Sequence, residues 1–252
     1  MKKEEIRPGV ELAWIADGPA GDGLTCGFFW LGGLMSDMTG TKAEAMAALA
    51  RATGRSFLRF DYSGHGASGG EFTDATISAW LSEAIHMFEN HTRGPRIVVG
   101  SSMGGWLALL LYRALSGRRI AGLVLIAPAV DMTEELMWKE FPRQVRDCIL
   151  KDGVWHRPSA YGHPYPITRT LIEDGRKHLM LNGEITVGCP VHILQGDADP
   201  DVPWQHGKRI YDAIKGDDVQ LTLIKFGDHR LSSPRQLELL VEAADALARQ
   251  VR

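Results

Sequence analysis

The chain has 252 residues, 44% of them hydrophobic and 23% charged, which is enough apolar material for one large α/β domain or two small ones. Its 28 Lys and Arg against 31 Asp and Glu leave a formal charge of −3, with neither sign dominating a long stretch. That balance excludes the basic stripe of a nucleic-acid binder and the polybasic segment of a membrane-surface protein.

Val10 to Ile15 alternates apolar and polar residues and predicts an edge strand of an antiparallel start. Gly27 to Leu31 is a continuous apolar run, the mark of a strand buried on both faces. Thr41 to Ala50 is alanine-rich and predicts a helix, Ser56 to Tyr62 a second central strand, and Ile77 to Phe88 a second helix. Arg96 to Val99 and Ile120 to Ala127 are further buried strands, with the apolar helix Gly105 to Leu111 between them. The pair Arg118-Arg119 reads as a solvated turn after that helix. Strand and helix thus alternate, which predicts a parallel sheet covered on both faces.

The rhythm breaks over residues 131–188, a polar stretch with several prolines and the aromatics Trp138, Phe141, Trp155, Tyr161 and Tyr165. Alternation resumes with the strand Val191 to Leu194, a helix near Ile210, the strand Val219 to Ile224 and a last helix from Glu238 to Val251. The interruption reads as a small helical cap inserted into a single domain spanning residues 1–252. Cys26, Cys148 and Cys189 form no CxxC pair, which favours reduced thiols. Cys26 and Cys189 adjoin core strands and read as small buried side chains, and Cys148 falls on a cap helix. The charged start Met1 to Glu5 has no apolar run after it, and no stretch reaches membrane-spanning length. The expectation is a cytoplasmic protein without stable membrane insertion.

Chemistry concentrates where predicted strands end. Gly100-Ser101-Ser102-Met103-Gly104 joins a strand to a helix and matches G-x-S-x-G, the nucleophile elbow of α/β-hydrolases. The sharp turn presents the Ser102 hydroxyl beside a helix N-terminus whose unpaired amides face developing negative charge. In that fold the acid and then the histidine follow the serine along the chain. The loop Gln195 to Trp204 offers Asp197, Asp199 and Asp201; Asp199 is the choice for the acid, the other two serving as loop acceptors or helix caps. Asp131 is a rarer placement of the acid. His229, between the final strand and the final helix, is the base. His65 precedes the serine, so its glycine-rich loop reads as packing beneath the site. The seven other histidines read as surface or satisfied core residues. The backbone N–H groups of Leu34 and Met103 are the expected oxyanion hole, and Trp138, Phe141 and Trp155 the expected substrate-binding residues. No metal is expected, since no cluster has metal-ligand spacing, and no phosphate-cradling or dinucleotide fingerprint calls for a cofactor.

These residues give the chain a resemblance to the α/β-hydrolase superfamily: a mostly parallel sheet with helices on both faces and a small helical cap insertion. Met35 to Ala43, Phe60 to Gly66, Gly100 to Leu107, Gly153-Val154-Trp155, Val202-Pro203-Trp204 and Asp228-His229-Arg230 resemble one branch of it in particular. That branch comprises the mitochondrial palmitoyl-protein thioesterases that also act as acyl-glucuronide esterases, with their bacterial relatives. The resemblance implies a serine esterase or thioesterase with nucleophile, acid and base on Ser102, Asp199 and His229. Its substrate would be a small acyl ester or thioester, or an acylated protein. What departs from the branch is the N-terminus, which lacks the Arg- and Ser-rich transit segment of a mitochondrial precursor. Two alternatives stay open at this point: a peptidase or carbon–carbon bond hydrolase using the same triad, and a non-catalytic ligand-binding protein of the same fold.

Overall fold

In the computed structural model, which describes residues 1–19, 25–158 and 164–251, side chains of alternating direction explain the long apolar runs. Strands β1 (Lys2–Arg7), β2 (Val10–Asp17), β3 (Gly27–Leu31), β4 (Phe57–Phe60), β5 (Arg96–Ser101) and β6 (Ile120–Ile126) come first along the chain. Then follow β7 (Val154–Arg157), β8 (Tyr165–Thr168), β9 (Ile185–Thr186), β10 (Val191–Gly196), β11 (Ile214–Lys215) and β12 (Val219–Ile224). Eight of these form one sheet in the order β1-β2-β4-β3-β5-β6-β10-β12. The six strands from β4 to β12 run parallel, and β2 pairs antiparallel with both β1 and β4.

Successive residues of a strand face opposite sides of the sheet. Phe29, Leu31, Val98, Leu123 and Leu125 therefore join one apolar cluster, while Phe28, Trp30, Ile97, Val99, Val124 and Ile126 join the other. Helices α1 (Thr41–Thr53) and α7 (Pro234–Gln250) cover the second face with alanine-rich stripes, among them Ala43, Ala47, Ala50, Ala244 and Ala248. Helices α2 (Ile77–His91), α3 (Met103–Ala114) and α6 (Trp204–Ala213) cover the first face, through Trp80, Trp106, Leu110 and Ile210. The expected fold class is the observed one.

Residues 131–188 carry a π-helical turn (Thr133–Trp138), helices α4 (Arg143–Asp152) and α5 (Arg169–Gly175), and the antiparallel hairpin β7–β8. At the base of this segment the buried Asp131 carboxylate accepts N–H bonds from Met180 and Leu181 at 2.8–3.0 Å. Asp174 ties it to α2, accepting from the Ser78 amide at 2.7 Å and the Ser78 hydroxyl at 2.8 Å. The expected Tyr161 and His163 lie outside the described residues.

Several sequence expectations need correction. The edge strand is β1, not β2: Lys2–Arg7 is almost entirely charged, so no apolar alternation marks it, and charge is what keeps an exposed edge from pairing with other chains. The hairpin β7–β8 leaves no period of two either: seven of its eight residues, all but His156, are buried or half-buried, and Pro166 interrupts the second strand. Helix α7 begins four residues early, because Ser233 and Gln236 form a capping box and Pro234 starts the first turn. Arg119 is not simply solvated: its guanidinium donates to the Phe88 and Thr92 carbonyls at the end of α2 and lies over the Phe88 ring. Of the cysteines, Cys26 is buried and Cys189 half-buried, and Cys148 lies on α4.

Candidate active site

The turn after β5 is shaped by close approach. A Cβ on Gly100 would sit 2.3 Å from the Gly104 carbonyl oxygen, and one on Gly104 would sit 2.0 Å from the Leu31 carbonyl oxygen. Only glycine fits either position. Between them Ser102 adopts φ 55° and ψ −117°, a strained conformation held by three backbone bonds. Its N–H donates to Ile126, and its carbonyl accepts from Gly105 and Ala129, all at 2.9–3.0 Å.

Two distant loops meet this serine. His229 Nε2 lies 3.1 Å from Ser102 Oγ, and His229 Nδ1 lies 2.8 Å from Asp199 Oδ2. A carboxylate only accepts, so Nδ1 carries the proton and Nε2 is left to accept from the hydroxyl. Asp199 is buried, and its Oδ1 accepts from the amides of Asp201 at 2.8 Å and Val202 at 2.9 Å. Gln195, which sequence reasoning missed, donates to the Val202 carbonyl at 2.9 Å and sits 3.4 Å from Asp199 Oδ2. The other aspartates separate by role. Asp197 accepts from the Phe226 amide, as a loop acceptor should. Asp201 does not cap α6, whose N-cap position is held by Pro203 with no side-chain bond.

The loop after β3 packs directly on the serine: a Cβ on Gly33 would lie 3.3 Å from Ser102 Cβ. The Ser36 amide closes a tight turn on the Gly33 carbonyl at 3.2 Å, with Met35 at φ 58° and exposed. Leu34 sits in that turn, and Met103 opens α3, where the first amides have no intrahelical partner. Further along, the Met38 backbone is held through both its N–H and its carbonyl. The Met38 amide donates to the buried Asp61 at 2.6 Å, and Arg59 donates to the Met38 carbonyl at 2.9 Å. The second Asp61 oxygen accepts from Ala67 at 2.8 Å, which joins the β3 and β4 loops. Burial raises the Asp61 carboxyl above its usual range, opposed by these N–H bonds. The only sequence trace of the clamp is its place in two of the resemblance segments.

Of the expected substrate residues, Phe141 and Trp155 pack edge to face with centroids 5.2 Å apart, and Arg176 lies over the Trp138 ring at 5.0 Å. All three share one apolar cluster with Leu34, Met103 and Val202. His65 is buried among Tyr62, Phe72 and Trp80, with Nδ1–H donating to the Ser63 carbonyl at 3.2 Å. Burial, partly offset by that bond, pushes its imidazole down to about 4. The fold also gathers residues the sequence keeps apart: Glu4 accepts from His86 Nε2 at 3.1 Å and His91 Nε2 at 2.5 Å, tying β1 to α2. The Nε2 of each imidazole meets its own carboxylate oxygen.

The sequence model of the serine aminopeptidase S33 family matches residues 33–170, from the β3 loop through the elbow into the inserted segment. The chain belongs to this family. The bovine (Bos taurus) mitochondrial palmitoyl-protein thioesterase ABHD10 is 34% identical over 231 residues, covering 89% of this chain and 74% of that protein. Among solved structures, a putative hydrolase from Agrobacterium vitis S4 superposes with a TM-score of 0.91 at 45% identity, covering 95% of this chain and 94% of that one. Mouse α/β-hydrolase domain-containing protein 10 superposes with a TM-score of 0.89 at 31% identity, covering 100% and 99%. The chain has the α/β-hydrolase fold and is an enzyme, a serine hydrolase. The expected resemblance to the thioesterase branch holds. Among the described residues no helix is long and apolar enough to cross a membrane.

Proposed function

We propose that this serine hydrolase cleaves carboxylic ester or thioester bonds of acyl substrates through an acyl-enzyme on Ser102. The carrying observation is the single imidazole that bridges the Ser102 hydroxyl and the buried Asp199, with its tautomer fixed by the carboxylate. A neutral serine is a weak nucleophile and needs a base within hydrogen-bond reach. His229 takes the Ser102 proton as Oγ attacks the acyl carbon. The Leu34 and Met103 amides hold the oxyanion, which the close approach of Gly33 to Ser102 supports. The imidazolium, steadied by Asp199, then protonates the leaving alcohol or thiol. Water activated by the same imidazole attacks the acyl-enzyme, and Ser102 regains its proton. The sequence needs no metal or cofactor.

Residues 131–188 act in this reading as a cap over the site. Trp138, Phe141 and Trp155 back an apolar acyl pocket, which their membership of the cluster containing Leu34, Met103 and Val202 supports. The substrate class is an acyl ester or thioester of a small molecule or a protein. The cytoplasm is the proposed compartment, on the strength of three free thiols; recovery of the protein from an exported fraction would overturn that. The bovine relative, named as a palmitoyl-protein thioesterase, favours a long acyl chain. The family's description as serine aminopeptidases favours a second reading, peptide-bond cleavage by the same three residues.

The test is a fluorophosphonate probe followed by peptide mapping, with a panel of p-nitrophenyl esters, acyl thioesters and amino-acid p-nitroanilides. Ser102 takes the label, and the esters and thioesters turn over with kcat/KM rising with chain length. Turnover of the anilides alone would replace this reading with the peptidase. A Ser102→Ala protein hydrolysing esters at the parent rate would remove the serine from the mechanism. Indifference to chain length would leave the cap aromatics a purely structural role.

A further inference from the structure

The segment Met35 to Ala43 is only partly accounted for by the oxyanion loop. Its far end, Lys42, occupies the first turn of α1, and its ammonium donates to the carbonyl of Arg230, 188 residues away and immediately after His229. A lysine is electrostatically misplaced there, since the N-terminal turn of a helix carries partial positive charge and favours acidic side chains. The first turn of α1 also has no side-chain cap, Gly40 standing at its N-cap. What compensates the lysine lies across the site. The groups facing it are the carboxylates of Asp228 and Asp199, which attract the ammonium, and the Arg230 guanidinium, which repels it. The Arg230 carbonyl that Lys42 bonds is also bonded by the Ser232 hydroxyl at 3.0 Å.

The loop it reaches has reason to need anchoring. Phe226 at φ 59° and Leu231 at φ 46° flank His229 in the left-handed region, where non-glycine residues are uncommon. Other bonds hold the loop at its start, where Phe226 N–H meets Asp197 and the Gly227 carbonyl accepts from Ala198 at 3.1 Å. Past His229, Leu231 N–H meets Asp228 Oδ1 at 3.0 Å, but that bond is internal to the loop. Leu231 is buried in the apolar cluster shared by α1 and α7, and Lys42 adds a bond from α1 to the residue directly after His229.

We propose that Lys42 is a positioning residue for hydrolysis, anchoring the loop that carries His229 and setting a positive charge beside the Asp199–His229 pair. The proposal rests on the triad reading given above. One short segment, residues 33–42, then supplies both an oxyanion donor and the brace of the general base. The anchor keeps the imidazole in line with Ser102 Oγ, where displacement by about an ångström can cost about 10²-fold in rate. A positive charge beside the pair disfavours a second one on the imidazole, so removing it is expected to move the acid limb of the rate profile to higher pH. Burial lowers the Lys42 ammonium to about 8, opposed by Asp228, so its field acts through a partly desolvated medium.

The experiment compares Lys42→Met, Lys42→Gln and Lys42→Arg with the parent enzyme, using a short-chain p-nitrophenyl ester from pH 5 to 9. Lys42→Met loses roughly 10–100-fold in kcat with KM nearly unchanged, and its acid limb in kcat/KM moves to higher pH. Lys42→Gln keeps a donor without charge and recovers much of kcat while retaining the moved limb. Lys42→Arg keeps donor and charge and recovers both. Parent-like kcat and limb in Lys42→Met, or a folded Lys42→Arg no better than Lys42→Met, would overturn the proposal. If Lys42→Met does not fold, the Gln and Arg pair decides by the same limb. Ser102→Ala and His229→Ala run alongside. If they are inactive while Lys42→Met is parent-like, Lys42 alone fails; if they are active, the triad reading fails.

Discussion

Two loops leave the carboxyl end of one sheet with a histidine in each, and they use it oppositely. The loop after β12 leaves His229 partly open, bonded to Asp199 on one side and Ser102 on the other. The loop after β4 buries His65 to 4% exposure among three aromatic rings, and its Nε2 has no partner among the described residues. That loop is itself pinned: Ser63 N–H donates to the fully buried Glu83 at 2.9 Å, and Glu83 also receives Arg7 at 2.8 Å. The difference teaches that a histidine's chemistry is set by what its two nitrogens meet. Proximity to the active end of a sheet is not enough.

The largest effect expected from this contrast is catalytic. Removing the His229 imidazole as His229→Ala, or the hydroxyl as Ser102→Ala, lowers kcat by about 10⁴-fold or more, and Asp199→Asn by about 10³–10⁴-fold. His65→Phe, which keeps a ring in the aromatic cluster, leaves kcat within roughly fivefold. Steady-state ester hydrolysis checks all four, and a catalytically dead, folded His65→Phe would erase the distinction between the loops.

A second effect appears in stability against pH. The unfolded chain binds a proton on His65 near pH 6.5, but the native chain resists until about 4. Between those values the unfolded state holds more protons, so stability falls as the pH falls through the window. The full cost is roughly 3 kcal/mol from His65 alone. Burial lowers His178, His192 and His206 in the same direction, so they steepen the slope. Urea unfolding at pH 7 and pH 4.5 reads this, and His65→Phe has the flatter dependence. An unchanged slope in that variant would sink the assignment.

The smallest effect sharpens the β12 side alone. Ser233 caps α7 just past the His229 loop, through the Ser233–Gln236 box. Ser233→Ala costs about 1 kcal/mol, a fall of about 2–4 °C in Tm for a chain of this size. Hydrogen exchange localises the loosening to α7 and residues 226–233, sparing the β4 loop. Equal loosening of both loops would mean they are not held independently.

Much of this was legible in the sequence, for a physical reason. Strands β3, β5, β6, β10 and β12 and the elbow between β5 and α3 are local patterns: an apolar run, two tight glycines and a following helix. Ser102 and His229 follow from those patterns plus chain order, as does Asp199 among three neighbouring aspartates. What escaped were groups whose meaning comes from a partner far along the chain. Asp61 and Arg59 clamp Met38, Lys42 meets Arg230, Glu4 meets His86 and His91, and none of these pairs leaves a periodic trace. Charged strands such as β1 escaped because their backbone bonds, not their side chains, define them.

The sheet order carries a consequence for how the enzyme fails. Strand β12 lies at the outer margin, paired on one side with β10, yet the loop it launches carries His229, the proposed general base. Trp30, Trp80 and Trp106 sit deep in the middle of the molecule. Mild denaturant that peels this margin away would silence hydrolysis while the tryptophan emission of the interior stayed native, so activity is the more sensitive gauge of the molecule's integrity.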